Sequence, residues 1–447
     1  MSQTSLPPAF VAETTNRLKE ANAPIVRRFV GESAARQPVH SVYGGAQLYK
    51  HDSAQKLGRA AQKALDEYAP DARTFARAIG VPEGIAEVVY QRVRAKLEKE
   101  PVEDQRIDFE DGYGNRPAAE EDGDAARCAH EVALGMKERT LPPFIGIRIK
   151  TFSDELFPRS ARTLDLFVTA LVHATGGKLP EGFVVTLPKI TTPEHVGVLV
   201  DLLEALEAKL GLPAGTLRLE VMIEDLRTIL LPDGTIGLPK LLDQARGRCV
   251  AAHFGTYDFT ASNNITAAYQ SMDHWHCTWA KAFMTNAFAG TGLWLSDGAT
   301  NVMPVPLHRG EHLTPVQQRE NVEAVHAAWA LHVRHIRHSL VHGYYQGWDL
   351  HPAQLPTRYA ALYAFFLEAL PAASERLKNF VAKAAQATLV GDVFDDAATG
   401  QGLLNFFLRG INCGALTEAE ALATGLTLAE LRGRSFVKIL ENRRGAG

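Results

Sequence analysis

Eight short apolar segments alternate along this chain with longer segments whose apolar residues recur at helical spacing. Such alternation is typical of parallel strands that are connected by helices. Eight strands in succession predict an α/β fold, a closed (β/α)₈ (TIM) barrel. The predicted strands are residues 40–44, 106–110, 144–150, 182–189, 218–224, 249–253, 291–295 and 343–350.

Two segments outside this alternation predict additions to the barrel. Residues 53–102 are polar and rich in alanine at helical spacing, which predicts an enlarged first crossover, a helical insertion at about 52–105. After residue 352 the pattern is helical to the end of the chain. The chain has 447 residues, 46% of them hydrophobic, which suffices for a barrel with additions. We therefore expect a barrel domain at 1–352 and an all-helical carboxyl-terminal cap domain at 353–447.

The composition excludes several classes of protein. The 51 acidic and 47 basic residues give a net charge of −4, and the basic residues are scattered, so we expect no nucleic-acid partner. No apolar run reaches the roughly 18 residues of a membrane span, and the first residues lack the pattern of a secretion signal. The four cysteines lie far apart and predict reduced thiols in a cytoplasmic protein. The oligomeric state is left open.

Two carboxylates, Glu224 and Asp258, stand at or just after the ends of consecutive predicted strands. Because the carboxyl ends of parallel strands meet at one rim, we expect these side chains to converge there. Carboxylate oxygens suit Mg²⁺ or Mn²⁺, so the pair predicts a metal site. The alternatives are that Glu224 caps the following helix and that Asp258 merely begins the next one.

Further charged residues stand at the ends of the preceding strands. Asp108, Glu110 and Asp111 form an acidic cluster that needs cations or hydrogen bonds to compensate it. Arg148 could hold a substrate carboxylate or a developing enolate oxygen, or it could simply pair with Asp108 or Glu110. For Lys189 we favour a supporting role beside the carboxylates over a Schiff base, since a metal site needs no amine nucleophile.

Four histidines follow one side of a predicted helix, at positions 332, 335, 338 and 342. The i,i+4 spacing can bind Zn²⁺. No glutamate lies within residues 338–342, so we favour a solvated or interface position for these histidines over a zinc site.

In combination, these motifs resemble the citrate lyase β-subunit/HpcH-HpaI superfamily of Mg²⁺-dependent carbon-carbon bond enzymes, and most closely malate synthase. The resemblance runs from about residue 40 onwards and follows the order of the family's motifs. It includes an Asp-Asp-Ala-Ala-Thr segment at 395–399 that is similar to the segment of malate synthases that supplies a catalytic base. The other shared segments are Asp-x-Glu-Asp at 108–111, Arg148, Leu-Pro-Lys at 187–189, Val-Met-Ile-Glu at 221–224, Gly-x-x-Asp at 255–258, residues 299–304 and Trp-Asp-Leu-His-Pro at 348–352.

The resemblance implies a role for each matching residue. Glu224 and Asp258 would bind Mg²⁺, Arg148 would stabilise the enolate of an acyl-CoA, and Asp396 would remove its α-proton, with Asp395 as the alternative base. The backbone N–H groups of Gly255, Thr256 and Tyr257 would hold the carboxylate of a small 2-oxo acid such as glyoxylate. The implied reaction is a Claisen-type condensation followed by hydrolysis of the thioester.

Two other functions remain open at this point. One is an aldolase or lyase that cleaves a 3-hydroxy acid or a hydroxyacyl-CoA, as other members of the superfamily do. The other is a metabolite-binding barrel without turnover. The sequence reads Gly-Thr-Tyr-Asp at 255–258 where malate synthases have Gly-Arg-Trp-Asp, which lies in the pocket that selects the oxo acid. The sequence therefore leaves the oxo acid, the acyl donor and the direction of the reaction open.

Overall fold

The computed structural model describes residues 5–31, 35–382, 388–390, 393–395, 397–433 and 439. Eight strands form a closed barrel in sequence order. All neighbours in it are parallel, and the last strand pairs with the first. This confirms the predicted (β/α)₈ fold. The strands are β1 (His40–Gly45), β2 (Asp104–Asp108), β3 (Phe144–Arg148), β4 (Val184–Leu187), β5 (Arg218–Ile223), β6 (Cys249–Phe254), β7 (Trp294–Ala299) and β8 (Gln346–Asp349).

Helices connect these strands and surround the barrel. Three of them, in place of the usual one, lie between β1 and β2, as the enlarged first crossover predicted. In the described part of the chain the α-helices are α1 (Pro8–Arg28), α2 (Ser53–Tyr68), α3 (Ala72–Ile79), α4 (Glu83–Lys99), α5 (Ala118–Glu138), α6 (Phe157–Thr175), α7 (Glu194–Leu210), α8 (Leu226–Ile229), α9 (Leu238–Gln244), α10 (Thr256–Ser262), α11 (Trp275–Phe288), α12 (Pro315–Val341), α13 (Leu355–Ala382), α14 (Ala397–Asn412), α15 (Glu418–Leu422) and α16 (Leu428–Arg432).

The region after β8 is mainly helical, as predicted, and also contains a pair of short antiparallel strands. These are β9 (Thr388–Val390) and β10 (Val393–Asp395). Three-residue strands are too short to show an alternating pattern, so the sequence does not predict them. Helix α13 packs against α4 and α12, and its buried residues belong to an apolar core that also includes residues of α2, α3 and α14.

The interior of the barrel is ionic where many barrels are filled with branched apolar side chains. Arg106 on β2 donates two hydrogen bonds of 2.7 Å to Glu220 on β5, and it also pairs with Asp104. The Nε2 atom of His253 on β6 lies 3.2 Å from Glu220, and Thr186 donates a hydrogen bond to the same carboxylate. All five side chains are buried. A second apolar core lies outside the strands, against the surrounding helices.

Asp349 at the end of β8 joins the barrel to the helices that follow. It accepts hydrogen bonds from Arg358 of α13 at 2.9 and 3.0 Å, and it lies 2.7 Å from Nδ1 of His40 and 3.1 Å from Nε2 of His332. Burial alone would raise the pKa of Asp349, but Arg358 and the histidines hold it well below its ordinary value.

The solvated or interface position favoured for the histidines of α12 is wrong for two of them. His332 and His335 are buried, because α12 packs against α13 and α3 and their rings face Asp349 of β8 and Thr300, the residue after β7. His335 contacts the hydroxyl of Thr300 at 2.9 Å, and burial lowers the pKa of His335 to about 4. These two histidines therefore connect elements of the fold. Among the described residues, no helix has both the length and the hydropathy that crossing a lipid bilayer requires.

We expect Asp349→Ala to lower the free energy of unfolding by about 3–5 kcal/mol, because it leaves the buried Arg358 without its partner. The midpoint of urea denaturation, followed by circular dichroism, measures this loss. The control is Asp201→Ala, which removes an exposed ion pair with Arg246 and should cost at most about 1 kcal/mol. Equal losses in the two variants would contradict the role assigned to Asp349.

Candidate metal and active site

Glu224 and Asp258 meet at the carboxyl-terminal rim of the barrel. Glu224 directly follows β5 and is only 2% exposed, while Asp258 lies in the first turn of α10, just after β6. The two carboxyl groups are close enough to share a hydrogen bond. Burial, together with the charge of Asp258, raises the pKa of Glu224 to about 8, and burial also raises the pKa of Asp258. Two acids that face each other in this way provide oxygen ligands for a hard divalent cation.

The helix-capping alternative for Glu224 is wrong. Asp225 is the residue before α8, and its side chain accepts a hydrogen bond of 2.8 Å from the N–H of Arg227. The carboxylate of Glu224 instead accepts a hydrogen bond of 2.5 Å from the N–H of Lys189. The alternative for Asp258 is correct in placing it at the start of a helix, since it lies in the first turn of α10. This position also brings it to Glu224.

Arg148 is both a buried ion partner and a neighbour of the metal-site candidates. The strand register sets Asp108 beside Arg148, and the guanidinium donates to both oxygens of Asp108, at 2.7 and 2.5 Å. It also lies 3.0 Å from Glu110. Burial opposes its charge, but Asp108 raises the pKa of Arg148 above its ordinary value. The guanidinium is therefore a permanent positive charge at the rim.

Lys189 lies among the same carboxylates. Its ammonium group pairs with Glu110 and Asp111 and lies 3.8 Å from Asp258. Its backbone is left-handed, with φ of 48°, which turns the N–H towards Glu224. Burial opposes the charge, but Glu110 raises the pKa of Lys189 above its ordinary value, so the amine is protonated and a poor nucleophile. This position agrees with a supporting role.

The rim carries more negative than positive charge. Its two cations, Arg148 and Lys189, face five carboxylates. In the described part of the chain, no group of three or more His, Cys, Asp or Glu side chains has the arrangement of a complete metal site. A site with two protein carboxylates fits Mg²⁺, which commonly keeps several water or substrate ligands. The five carboxylates are Asp108, Glu110, Asp111, Glu224 and Asp258.

In the segment 255–257, the backbone N–H of Gly255 does not have the role that the sequence predicts. The N–H of Gly255 donates to the carbonyl of Ile223 at 3.0 Å, so it cannot hold a substrate carboxylate as the sequence analysis expected. Its contribution is space, because a Cβ at this position would lie 2.5 Å from an oxygen of Glu224. The hydroxyl of Thr256 is buried and has no hydrogen-bond partner among the described residues. The hydroxyl of Tyr257 bonds to the carbonyl of Ala299 at 2.8 Å.

Two aromatic residues belong to the site as well: Tyr43, which the sequence did not single out, and Trp348, which it singled out only as part of a shared segment. The rings of Tyr43 on β1 and Trp348 on β8 are in contact, with centroids 4.1 Å apart and planes tilted by 32°. The guanidinium of Arg148 lies 5.0 Å from the ring of Tyr43 and 5.7 Å from that of Trp348. Side chains of a strand point alternately into and out of the barrel, and this alternation was the signal that could have placed both rings inside it. Asp396 lies outside the described residues, and Asp395 is described only as the last residue of β10.

The fold and the rim define a (β/α)₈ barrel protein with an acidic site at the carboxyl ends of its strands. The chain matches the family model DUF6986, described as "Domain of unknown function", over residues 18–439, and it belongs to that family. No curated protein matches the sequence.

Solved structures with a similar fold include a citrate lyase from Burkholderia xenovorans LB400. It matches with a TM-score of 0.55 and 18% identity, over 88% of this chain and 100% of that chain. A malate synthase from Haloferax volcanii, crystallised with glyoxylate, matches with a TM-score of 0.47 and 13% identity over 90% of this chain and 98% of that chain. At these identities the likeness to the citrate lyase shows the fold alone, and the malate synthase match adds no argument.

We expect Gly255→Ala to weaken Mg²⁺ binding by about 10–100-fold, because the new methyl group displaces Glu224. Isothermal titration calorimetry measures the affinity. The matched control is Gly44→Ala on β1, where a Cβ would meet no atom within 4 Å. Equal affinities in the two variants would show that the position of Glu224 does not determine metal binding.

We also expect Mg²⁺ affinity to depend on pH. Because the pKa of Glu224 is about 8, the acid is mostly protonated at neutral pH, and an ion that binds there must displace the proton. The affinity should therefore rise about tenfold per pH unit below that pKa and level off above it. Calorimetry in buffers of different ionisation enthalpy should show nearly one proton released at about pH 7 and almost none at about pH 9. Binding without proton release at the lower pH would contradict this coupling.

Proposed function

We propose that this protein is a Mg²⁺-dependent enzyme that forms or cleaves a carbon-carbon bond next to the keto group of a small 2-oxo acid. The favoured reaction is a malate-synthase-like Claisen condensation of the oxo acid with an acyl-CoA. The observation that carries the proposal is the pair of facing carboxyl groups, buried Glu224 and partly exposed Asp258, beside the permanent cation of Arg148. The motif resemblance supports the choice of reaction.

The residues of the rim fit a bound divalent cation. Glu224 and Asp258 would hold it, and Mn²⁺ could replace Mg²⁺ because both prefer oxygen ligands. When bound, the ion would make the keto group of the oxo acid more electrophilic. Thr256 and Tyr257 lie in the first turn of α10, where backbone N–H groups attract anions, and they would hold the carboxylate of the oxo acid.

Arg148 would stabilise the negative charge that develops on the enolate oxygen of the acyl-CoA. Asp108 holds two of its nitrogens, and the rings of Tyr43 and Trp348 lie within 6 Å of the guanidinium, which limits its movement. A positive charge that is held in place needs little reorganisation when the enolate forms, and this lowers the cost of enolisation.

Asp396 remains our candidate for the base, with Asp395 as the alternative. The base would remove the α-proton of the thioester, and the resulting enolate carbon would attack the keto carbon of the oxo acid. The keto oxygen becomes the hydroxyl group of the product. Water then hydrolyses the thioester and releases free CoA.

The same residues can serve the reverse type of reaction, the cleavage of a 3-hydroxy acid or its CoA thioester. The similarity in fold to a citrate lyase keeps this second candidate open. Both reactions pass through an enolate, so Arg148 and the metal pair would act alike in the two. Equilibrium and substrate distinguish them.

We expect the protein to release free CoA from acetyl-CoA and glyoxylate in the presence of Mg²⁺. Glu224→Gln and Asp258→Asn should each lower this rate by at least about 100-fold, because one ligand loses its charge. A thiol reagent that reports free CoA measures the rate. Glu194→Gln and Asp201→Asn, which change exposed acids of α7, are matched controls and should leave it unchanged.

The products that form distinguish the alternative functions. Release of pyruvate or glyoxylate from hydroxy acids without CoA would favour the lyase. Intact substrates across a broad panel, despite measured Mg²⁺ binding, would favour a metabolite-binding barrel without turnover.

Deuterium exchange into acetyl-CoA tests the base: Asp396→Asn should abolish this exchange and preserve glyoxylate binding, while Asp395→Asn should leave the exchange intact. The opposite result would assign the base to Asp395.

A further inference from the structure

The barrel has a cavity at the end opposite the acidic rim. The amino-terminal ends of the strands surround a space of about 470 Å³. Ligand sites in proteins occupy roughly 300–1,000 Å³, so this space has room for a small molecule. Its lining comes from the starts of β2 to β8 and from the segments that precede them. It is therefore distinct from the site that contains Glu224 and Asp258.

Small residues contribute to the lining of this end of the barrel. Barrels of this type usually fill such a layer with large branched side chains. Here Gly182, Ala251 and Gly292 line the cavity instead. Aromatic residues line it as well, and Phe144 and Trp294 meet edge to face with a centroid distance of 5.6 Å. These aromatic residues form an apolar wall at the mouth of the barrel.

The inner boundary of the cavity is polar but already paired. Asp104, Arg106 and Glu220 line it, and Arg106 bonds to both acids. Its charges therefore offer no free cation to a ligand. A negatively charged ligand group would be repelled by the acids if it approached them, so it would have to lie nearer the mouth.

Arg218 supplies an available cation at that mouth. It is the first residue of β5, lines the cavity and is half-buried. Within the described residues its guanidinium has neither a hydrogen bond nor an ion pair, in contrast to Arg106 and Arg148. A guanidinium stays charged at any working pH, and its planar donors match a carboxylate. An unpaired guanidinium beside an apolar wall favours a ligand that is both anionic and apolar.

We propose that this cavity is a second ligand site, for a small amphipathic acid whose carboxylate pairs with Arg218 and whose apolar body packs on Phe144 and Trp294. The ligand class follows from the two kinds of lining, the single free cation among the described lining residues and the aromatic wall. The proposal does not depend on the reaction at the acidic rim.

The test uses 2-naphthoate and its neutral analogue 2-naphthamide, titrated calorimetrically into the full-length protein. Saturating Mg²⁺ and glyoxylate are present, so that the rim is not available to the probe. We expect one equivalent of naphthoate to bind, and more tightly than naphthamide. Arg218→Gln should weaken naphthoate binding about tenfold and leave naphthamide binding within about twofold, since only the carboxylate loses its partner.

The matched control is Arg246→Gln, an arginine that pairs with Asp201 and Glu204 and does not line the cavity. It should leave the affinity for both probes unchanged. Ala251→Leu should abolish the binding of both, because the longer side chain occupies the space. Circular dichroism shows whether this variant is folded, and if it is not, the two arginine variants decide the question.

Three results would overturn the proposal. They are no binding of naphthoate to the wild-type protein, displacement of naphthoate as Mg²⁺ and glyoxylate are added, and equal naphthoate affinity in Arg218→Gln and Arg246→Gln. Displacement by glyoxylate would place the probe at the acidic rim, and it would leave the proposed reaction untouched.

Discussion

The closure of the parallel barrel forces acidic side chains together at one rim. Asp108 ends β2, Glu224 follows β5 and Asp258 lies in α10 after β6, and only the barrel brings them close. Their mutual repulsion must be compensated, and the ion pair between Arg148 and Asp108 compensates part of it. Burial, together with the charge of Asp258, raises the pKa of Glu224, and this marks a place where a further positive charge would be stabilising.

The polar interior connects this rim with the opposite end of the barrel. The indole N–H of Trp348 donates to Nδ1 of His253, whose Nε2 lies close to Glu220. Glu220 in turn pairs with Arg106 at the boundary of the cavity at the amino-terminal end of the barrel. Buried ion pairs contribute little net stability compared with apolar packing. A barrel with such a network therefore has less stabilisation from apolar packing. In return, the network fixes the positions of its members, including the indole ring of Trp348 next to the guanidinium of Arg148.

Much of the fold could be predicted because it depends on local patterns. Each of the eight predicted strands overlaps a strand of the barrel, and the three helices after β1 follow from apolar residues at helical spacing. The placement of Glu224 beside Asp258 also followed, since parallel strands present their carboxyl ends at one rim. Other features depended on partners remote in sequence. Examples are the burial of His332, the bond from Gly255 to Ile223 and the contact between the rings of Tyr43 and Trp348.

The sequence by itself determined the order of strands and helices, and with it the set of charged residues that stand at the strand ends. The tertiary structure alone decided which of those charged side chains form pairs. Arg148 pairs with Asp108, Lys189 lies among Glu110, Asp111 and Asp258, and Arg218 is left without a partner among the described residues at the other mouth. The physical reason is that a strand's register and a side chain's neighbours are set by elements far away along the chain, whereas hydrophobic periodicity is local.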